Sequence, residues 1–409
     1  MSLFVPVALI GGLSFTSLID GFGTRFIDED TFKKTILASS LFILIFMETH
    51  KLIIDAIPQK RIDLAFNARY FRSDLRSYIL IFIGISFLIV GLIIRYNLGL
   101  LGRNPWSEGG TISFAGNINA MSTSNMQLFQ IFQTLEKLAL ILAGGVFVSR
   151  AKNFYWASAR FIFIFIAHLM FFFITTTERG GSLMFGLGVL CYASMISPIF
   201  NGIKPWHLAL GILIGFLLNL LTAIFETNVL GGNFDRWVAT GLILRGPTAV
   251  FWITAMVIDW VDNMDVVIRG GTTYLQALGG LFPGQMRPFE VGSLSKWFVS
   301  EFNPDLANRG IGYGFSLIAE GYLNFKMMGV IISGLILAFV SSFLVFIRDS
   351  SRLPTVCILI YTLIFSGFYK FLQGDLSNVF SRLQYALVVA LIFVAFLSFM
   401  SKIKILNRH

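Results

Sequence analysis

Apolar runs of about 18–22 residues recur along the whole chain, and each is long enough to cross roughly 30 Å of hydrocarbon as a helix. No other feature limits the fold so severely, because only α-helices and closed barrels satisfy every backbone N–H and C=O inside lipid. The alternating pattern of a barrel strand is absent, so the expected fold is an all-α integral membrane protein. A signal peptide does not explain the runs, which continue to the C-terminus. Charged residues are only 13% of the 409, and the mean hydropathy is +0.77. Soluble domains carry about a quarter charged residues. Cys191 and Cys357 both lie inside apolar runs and read as small buried hydrophobes.

Ten spans are expected, at 3–19, 35–56, 77–95, 128–149, 160–176, 182–200, 207–225, 328–347, 354–371 and 384–401. The connections alternate in charge. One side collects Lys60, Arg61, Arg69, Arg72, Arg76, Arg150, Lys152, Arg160, Lys204, Arg348, Arg352, Lys402, Lys404 and Arg408. The positive-inside rule makes that side cytoplasmic and puts both termini there. The net charge of +9 is therefore read as membrane sidedness, and no nucleic-acid partner is expected. The opposite side holds most of the acidic residues and one long connection, 226–327, between the seventh and eighth spans. This divides the chain into helices 1–7 (1–225), the outer loop (226–327), and helices 8–10 with a short tail (328–409). Within the loop, 248–262 and 295–302 are rich in aromatics and are expected to lie on the membrane surface as amphipathic helices. A re-entrant or eleventh span near 241–260 is the alternative. It would invert everything downstream, against the charges after 347. There is no internal repeat.

The outer side carries more arginine than topology requires: Arg179, Arg236, Arg245, Arg269, Arg287 and Arg309. A guanidinium binds phosphate oxygens through a planar fork that keeps its charge. Headgroup contact or pairing with a nearby carboxylate is the simpler account of any one of them. Two stand out. Thr175-Thr176-Thr177-Glu178-Arg179-Gly180-Gly181-Ser182 joins spans five and six with almost no loop and holds Arg179 at the membrane boundary. A local Glu178–Arg179 pair in a tight turn is the plainer reading. Asn308-Arg309-Gly310-Ile311-Gly312-Tyr313-Gly314 sets three alternating glycines behind an arginine, a pattern that suits an anion-binding nest. Ser316, Glu320 and Asn324 follow at i, i+4, i+8, on one helix face. A carboxylate so near an apolar span is costly unless paired or functional. Glu320 is thus a structural ion-pair partner or a general base. Asp259, Asp262 and Asp265 read as the polar face of an interfacial helix, with a divalent-ion site as the alternative. His50, His168, His207 and His409 do not cluster, and G-x-S-x-G, H-E-x-x-H and P-loop motifs are missing.

The string from Gly312 through Ser316-Leu317-Ile318-Ala319-Glu320-Gly321-Tyr322-Leu323-Asn324-Phe325, followed by Gly329, resembles a segment of Wzy-type O-antigen and oligosaccharide repeat-unit polymerases. Lys326 stands where glycine is expected after Asn-Phe. The Arg179-Gly180 hairpin is similar to the arginine-glycine turn of the wider group that includes O-antigen ligases. The long outer loop between spans seven and eight looks like the topology of GT-C-type lipid-linked glycosyltransferases. The outer loop has no histidine to match the ligases' catalytic one.

The resemblance implies a polymerase of undecaprenyl-pyrophosphate-linked oligosaccharides, a multi-pass protein of the bacterial inner membrane with a periplasmic active site. Donor and acceptor are both lipid-linked glycans, membrane lipids surround the protein, and a chain-length regulator is a possible partner. No cofactor or metal is expected, since arginines stabilise a pyrophosphate leaving group directly. The catalytic candidates are Glu320, Arg179 and Arg309. Arg245, Arg236, Arg269, Tyr313, Asp305 and Glu178 are candidates for pyrophosphate or sugar binding. A lipid-linked oligosaccharide flippase and an O-antigen ligase are the alternatives.

Overall fold

The computed structural model describes residues 28–56, 74–97, 123–175, 180–197, 251–282, 286, 292–302, 304, 315–348, 354–366 and 374–406. The expected spans 3–19 and 207–225 and the first part of the outer connection lie outside these residues. Among the described residues all regular structure is helical. Five helices are long and apolar enough to cross a membrane, at Glu29–Ala56, Tyr78–Asn97, Leu128–Ser149, Leu317–Phe346 and Leu376–Ala395. The chain is a multi-pass membrane protein.

Helix α1 (Glu29–Ala56) starts where Asp28 Oδ1 accepts the Thr31 amide at 2.6 Å, with Glu29 and Asp30 in the first turn. Side-chain capping and early acidic residues both suit the positive end of a helix dipole. Its buried residues, Thr31, Thr35, Ala38, Phe42 and Phe46, recur every three or four positions and form one face.

Helices α2 (Asp74–Asn97) and α3 (Thr123–Ser149) pack antiparallel, with Gly84 against Ala139 and Ala143. Small residues let backbones approach where lipid supplies no hydrophobic drive between helices. Further along, Arg95 and Glu136 form a two-pronged ion pair at 2.9 and 2.6 Å. Their side chains are only 6% and 4% exposed. Gly91 makes room for them, since a Cβ there would meet both Glu136 Oε1 and Arg95. Helix α4 (Phe154–Thr175) begins at Asn153, whose Oδ1 accepts the Trp156 amide at 3.0 Å. It returns along α5 (Gly180–Ile196), where the His168 ring stacks on Phe185 at 3.9 Å. Helix α5 runs parallel to α3, with Gly188 on Ile141 and Tyr192 on Gly145.

The long connection expected at 226–327 contributes α6 (residues 251–262), α7 (Thr272–Leu278) with a 3-10 turn (Gly279–Leu281), and α8 (Leu294–Phe302). Helix α6 is not the surface-lying amphipathic helix expected. Residues 253–258 are buried in succession, so protein packs it all round. Helix α8 is amphipathic, but its apolar face covers α6 rather than lipid. Phe298 lies 5.2 Å from Trp260 and 5.9 Å from Trp252, and Phe302 lies 4.8 Å from Trp252.

Helix α9 (Leu317–Arg348) is broken at Phe325 (φ −145°, ψ 27°) and Lys326 (φ 53°, ψ −138°). The break doubles the chain back on itself. The backbones of Gly321 and Gly329 touch, so that a Cβ on Gly321 would lie 2.5 Å from the Gly329 carbonyl oxygen. In a straight helix these two residues would stand about 12 Å apart along the axis. The arm beyond the break runs parallel to α1, with Gly334 on Phe42 and His50 Nδ1 hydrogen-bonded to Ser342 at 2.8 Å and Ser341 at 2.9 Å. Helices α10 (Pro354–Ser366) and α11 (Leu376–Leu406) complete the described chain.

The turn explains the glycine expected at 326, because the position has a positive φ that costs a side chain strain. Lys326→Gly is therefore expected to stabilise the protein by about 1 kcal/mol, the relieved strain outweighing one half-exposed ion pair. A thermal midpoint at or below that of the unaltered protein would remove the argument.

Candidate functional site

The first arm of α9 begins at Ser316, whose Oγ accepts the Ala319 amide at 2.9 Å and meets Thr254 Oγ1 of α6 at 2.8 Å. One turn on, Glu320 is 1% exposed. Its Oε1 accepts from the Thr273 hydroxyl of α7 at 2.9 Å, and its Oε2 accepts from the Leu376 amide of α11 at 2.6 Å. Another turn on, Asn324 donates to Thr273 Oγ1 at 2.6 Å and accepts the Gly271 amide at 3.0 Å. The Arg269 amide completes the ladder by donating to the Leu323 carbonyl at 3.0 Å. The expected polar face at 316, 320 and 324 is thus the inner wall of a network joining α6, α7, α9 and α11.

Beside it, Asp375 is also 1% exposed. Its Oδ1 accepts from the Asn378 amide at 2.9 Å, capping α11, and from the Ser377 hydroxyl at 2.7 Å. Its Oδ2 accepts the Leu294 amide at 2.9 Å, the first residue of α8. Two buried carboxylates therefore hold the starts of two helices, where N–H groups lack partners and the dipole favours negative charge. Among the described residues, both oxygens of Glu320 accept from neutral donors and none from an arginine.

A second cluster lies at the break. Asp262 takes Lys34 at 2.8 Å, Lys326 at 3.2 Å and the Tyr322 hydroxyl at 2.9 Å. Burial pushes its carboxyl up, and the hydrogen bonds from Lys34, Tyr322 and Lys326 outweigh that and hold it below the usual range. Asp259 meanwhile accepts from Asn263 at 2.9 Å. Arg269 is exposed, its guanidinium 5.4 Å above the Trp297 ring.

Of the expected site residues, Glu320 and Arg269 fall among the described ones. Arg179, Glu178, Arg236, Arg245, Asp305, Arg309 and Tyr313 lie outside them. Thr273 and Asp375 were not singled out from sequence. Asp375 had a usable signal, a capping residue directly before an apolar helix.

Apolar helices long enough to cross a membrane, with a buried polar network joining α6, α7, the first arm of α9 and the start of α11, define a membrane protein with a polar site at one end of its helices. Residues 253–404 match the family model described as O-antigen polysaccharide polymerase Wzy. That match supports a Wzy-type polymerase, with the glycosyltransferase-type activity the family implies. It takes in the whole Glu320–Asp375 network. No curated protein and no solved structure matches the chain.

Proposed function

We propose that this protein joins undecaprenyl-pyrophosphate-linked repeat units into a surface polysaccharide, O-antigen or a related polymer, on the periplasmic side of the bacterial inner membrane. The observation that carries the reading is the coincidence of the polymerase match, residues 253–404, with the polar network at one end of the spans. In the reaction, an acceptor hydroxyl replaces pyrophosphate at the anomeric carbon of the donor glycan. The new C–O bond forms as the C–O bond to phosphate breaks, the lipid pyrophosphate departs with the bonding electrons, and the hydroxyl proton passes to a pyrophosphate oxygen. Arg179, Arg245 and Arg309 are assigned to the pyrophosphate, with Arg236 and Arg269 as weaker partners. Their charge stabilises the leaving group without a metal. Tyr313 is assigned to phosphate or sugar, and Asp305 and Glu178 are second choices. Glu320 was expected to position or deprotonate the acceptor. Its two occupied oxygens favour positioning, by fixing Thr273 and the first amide of α11. A chain-length regulator is proposed as a separate partner.

A host strain lacking the protein is expected to make lipid A-core capped with a single repeat unit on a glycolipid gel. Complete loss of surface glycan would point to a flippase or a ligase instead. Complementation with Arg179→Ala or Arg309→Ala should restore the protein to the membrane but no polymer. Full-length polymer from both variants would sink the arginine site while leaving the polymerase reading to the deletion result.

A further inference from the structure

Helix α7 and the 3-10 turn after it have two unlike faces. Thr273 and Ala277 face inward, with Thr273 on Glu320. Outward stand Leu275 (59% exposed), Leu278 (41%), Leu281 (41%) and, past the turn, Met286 (74%). A bare apolar stripe of this kind is a liability in water.

The neighbours of the segment fix its depth. The Tyr274 hydroxyl donates to the Gly329 carbonyl at 3.1 Å and meets Ser333 Oγ at 2.8 Å. Ser333 lies about 10 Å along α9 from the break at Lys326. On the other side, a Cβ on Gly280 would lie 2.9 Å from the Ser377 carbonyl and 3.0 Å from Ser381 Oγ. Ser381 lies about 7 Å into α11. Both partners belong to candidate membrane-crossing helices, Ser333 in the arm of α9 beyond the break and Ser381 in the apolar stretch that begins at Leu376. The segment therefore packs beside two spans below their ends, at the level of the hydrocarbon.

We infer that residues 272–282 form a membrane-embedded element of the outer connection, its Leu275–Leu278–Leu281 stripe bathed in the acyl chains of the outer leaflet. Lateral lipid contact thus reaches the back of the helix that presents Thr273 to Glu320. The segment is a wall one helix thick between bilayer and polar network. Neither α6 nor α8 has this position, because the apolar surfaces of both are covered by protein. The inference depends on the fold and not on the chemistry proposed above, so either stands if the other fails.

The test uses full-length protein with Cys191 and Cys357 replaced by serine, reconstituted in phosphatidylethanolamine–phosphatidylglycerol vesicles. Spin labels are placed singly at Leu275→Cys and Leu278→Cys. Both are expected to relax more with oxygen than with a water-soluble nickel chelate, as a label at lipid-facing Phe339→Cys should. A label at Lys296→Cys on α8 should do the opposite. Labels at 275 and 278 that behave like the one at 296 would overturn the inference. Unaltered protein provides a second arm, in which a lipid-borne diazirine should mark peptides within 272–282. Absence of marking there, with marking present on α9 and α11, would also overturn it.

Discussion

Glu320→Ala is expected to abolish polymer and to lower the unfolding midpoint of the detergent-solubilised protein by an easily measured margin. The carboxylate accepts both the Leu376 amide and the Thr273 hydroxyl. Both donors sit among buried groups. A buried donor left without its acceptor costs about 1–3 kcal/mol, so two should cost about 2–6 kcal/mol, with a small cavity added. Loss of polymer alone does not distinguish a chemical from a positioning role, so the conservative variant matters. Glu320→Gln keeps the shape and one good acceptor, while its NH2 faces a donor. Stability should fall partway in either case, so polymer decides: a positioning residue predicts some, whereas a general base predicts none. An alanine variant that melts like the unaltered protein and makes full-length polymer would show that the clasp on α11 is dispensable.

Gly329→Ala should be the most damaging single methyl among the glycines of the described residues. The atoms it would meet are backbone, the Gly321 carbonyl and its Cα, and no side chain is present to rotate away. Overpacking costs about 1–3 kcal/mol when side chains absorb it, and more when main chain must move. The reversal in α9 would open and withdraw Glu320 from Leu376. Gly334→Ala, on the same arm, is the matched control. Its Cβ would approach Ile45 and the Phe42 carbonyl at 3.2 Å, a contact that small shifts between α1 and α9 can absorb. Expression and thermal midpoint of the two variants should separate clearly. Similar losses, or none in either, would mean that the Gly321–Gly329 crossing is not specially tight.

Some of this was legible in the chain. Hydropathy marks spans because lipid leaves the backbone no choice but helix, and the Ser316–Glu320–Asn324 face follows from helical period alone. The missing glycine at 326 was visible as a departure, but its meaning needed the positive φ. Partners were not legible. Glu320 binds a hydroxyl 47 residues away and a main-chain amide 56 away, and backbone donors have no sequence signature. Burial of α6 was misread because its aromatics suit a membrane surface and a protein core equally well. What decides between them is α8, which lies over it. The Arg95–Glu136 pair was overlooked although a carboxylate inside an apolar run is itself a signal.

The Asp375 clasp bears on how the protein is made. It fastens α8 to α11, and with Glu320 it ties together residues 294, 320 and 375, which leave the ribosome far apart in time. Synthesis delivers about 5–20 residues per second, so for several seconds the outer segment exists with its helix starts uncapped. The network can close only once α11 is in place. A chain stopped before residue 376 would insert most of its spans and still lack the polar end. The network is complete only after α11 has been made, so the starts of α8 and α11 lack these carboxylate acceptors until then.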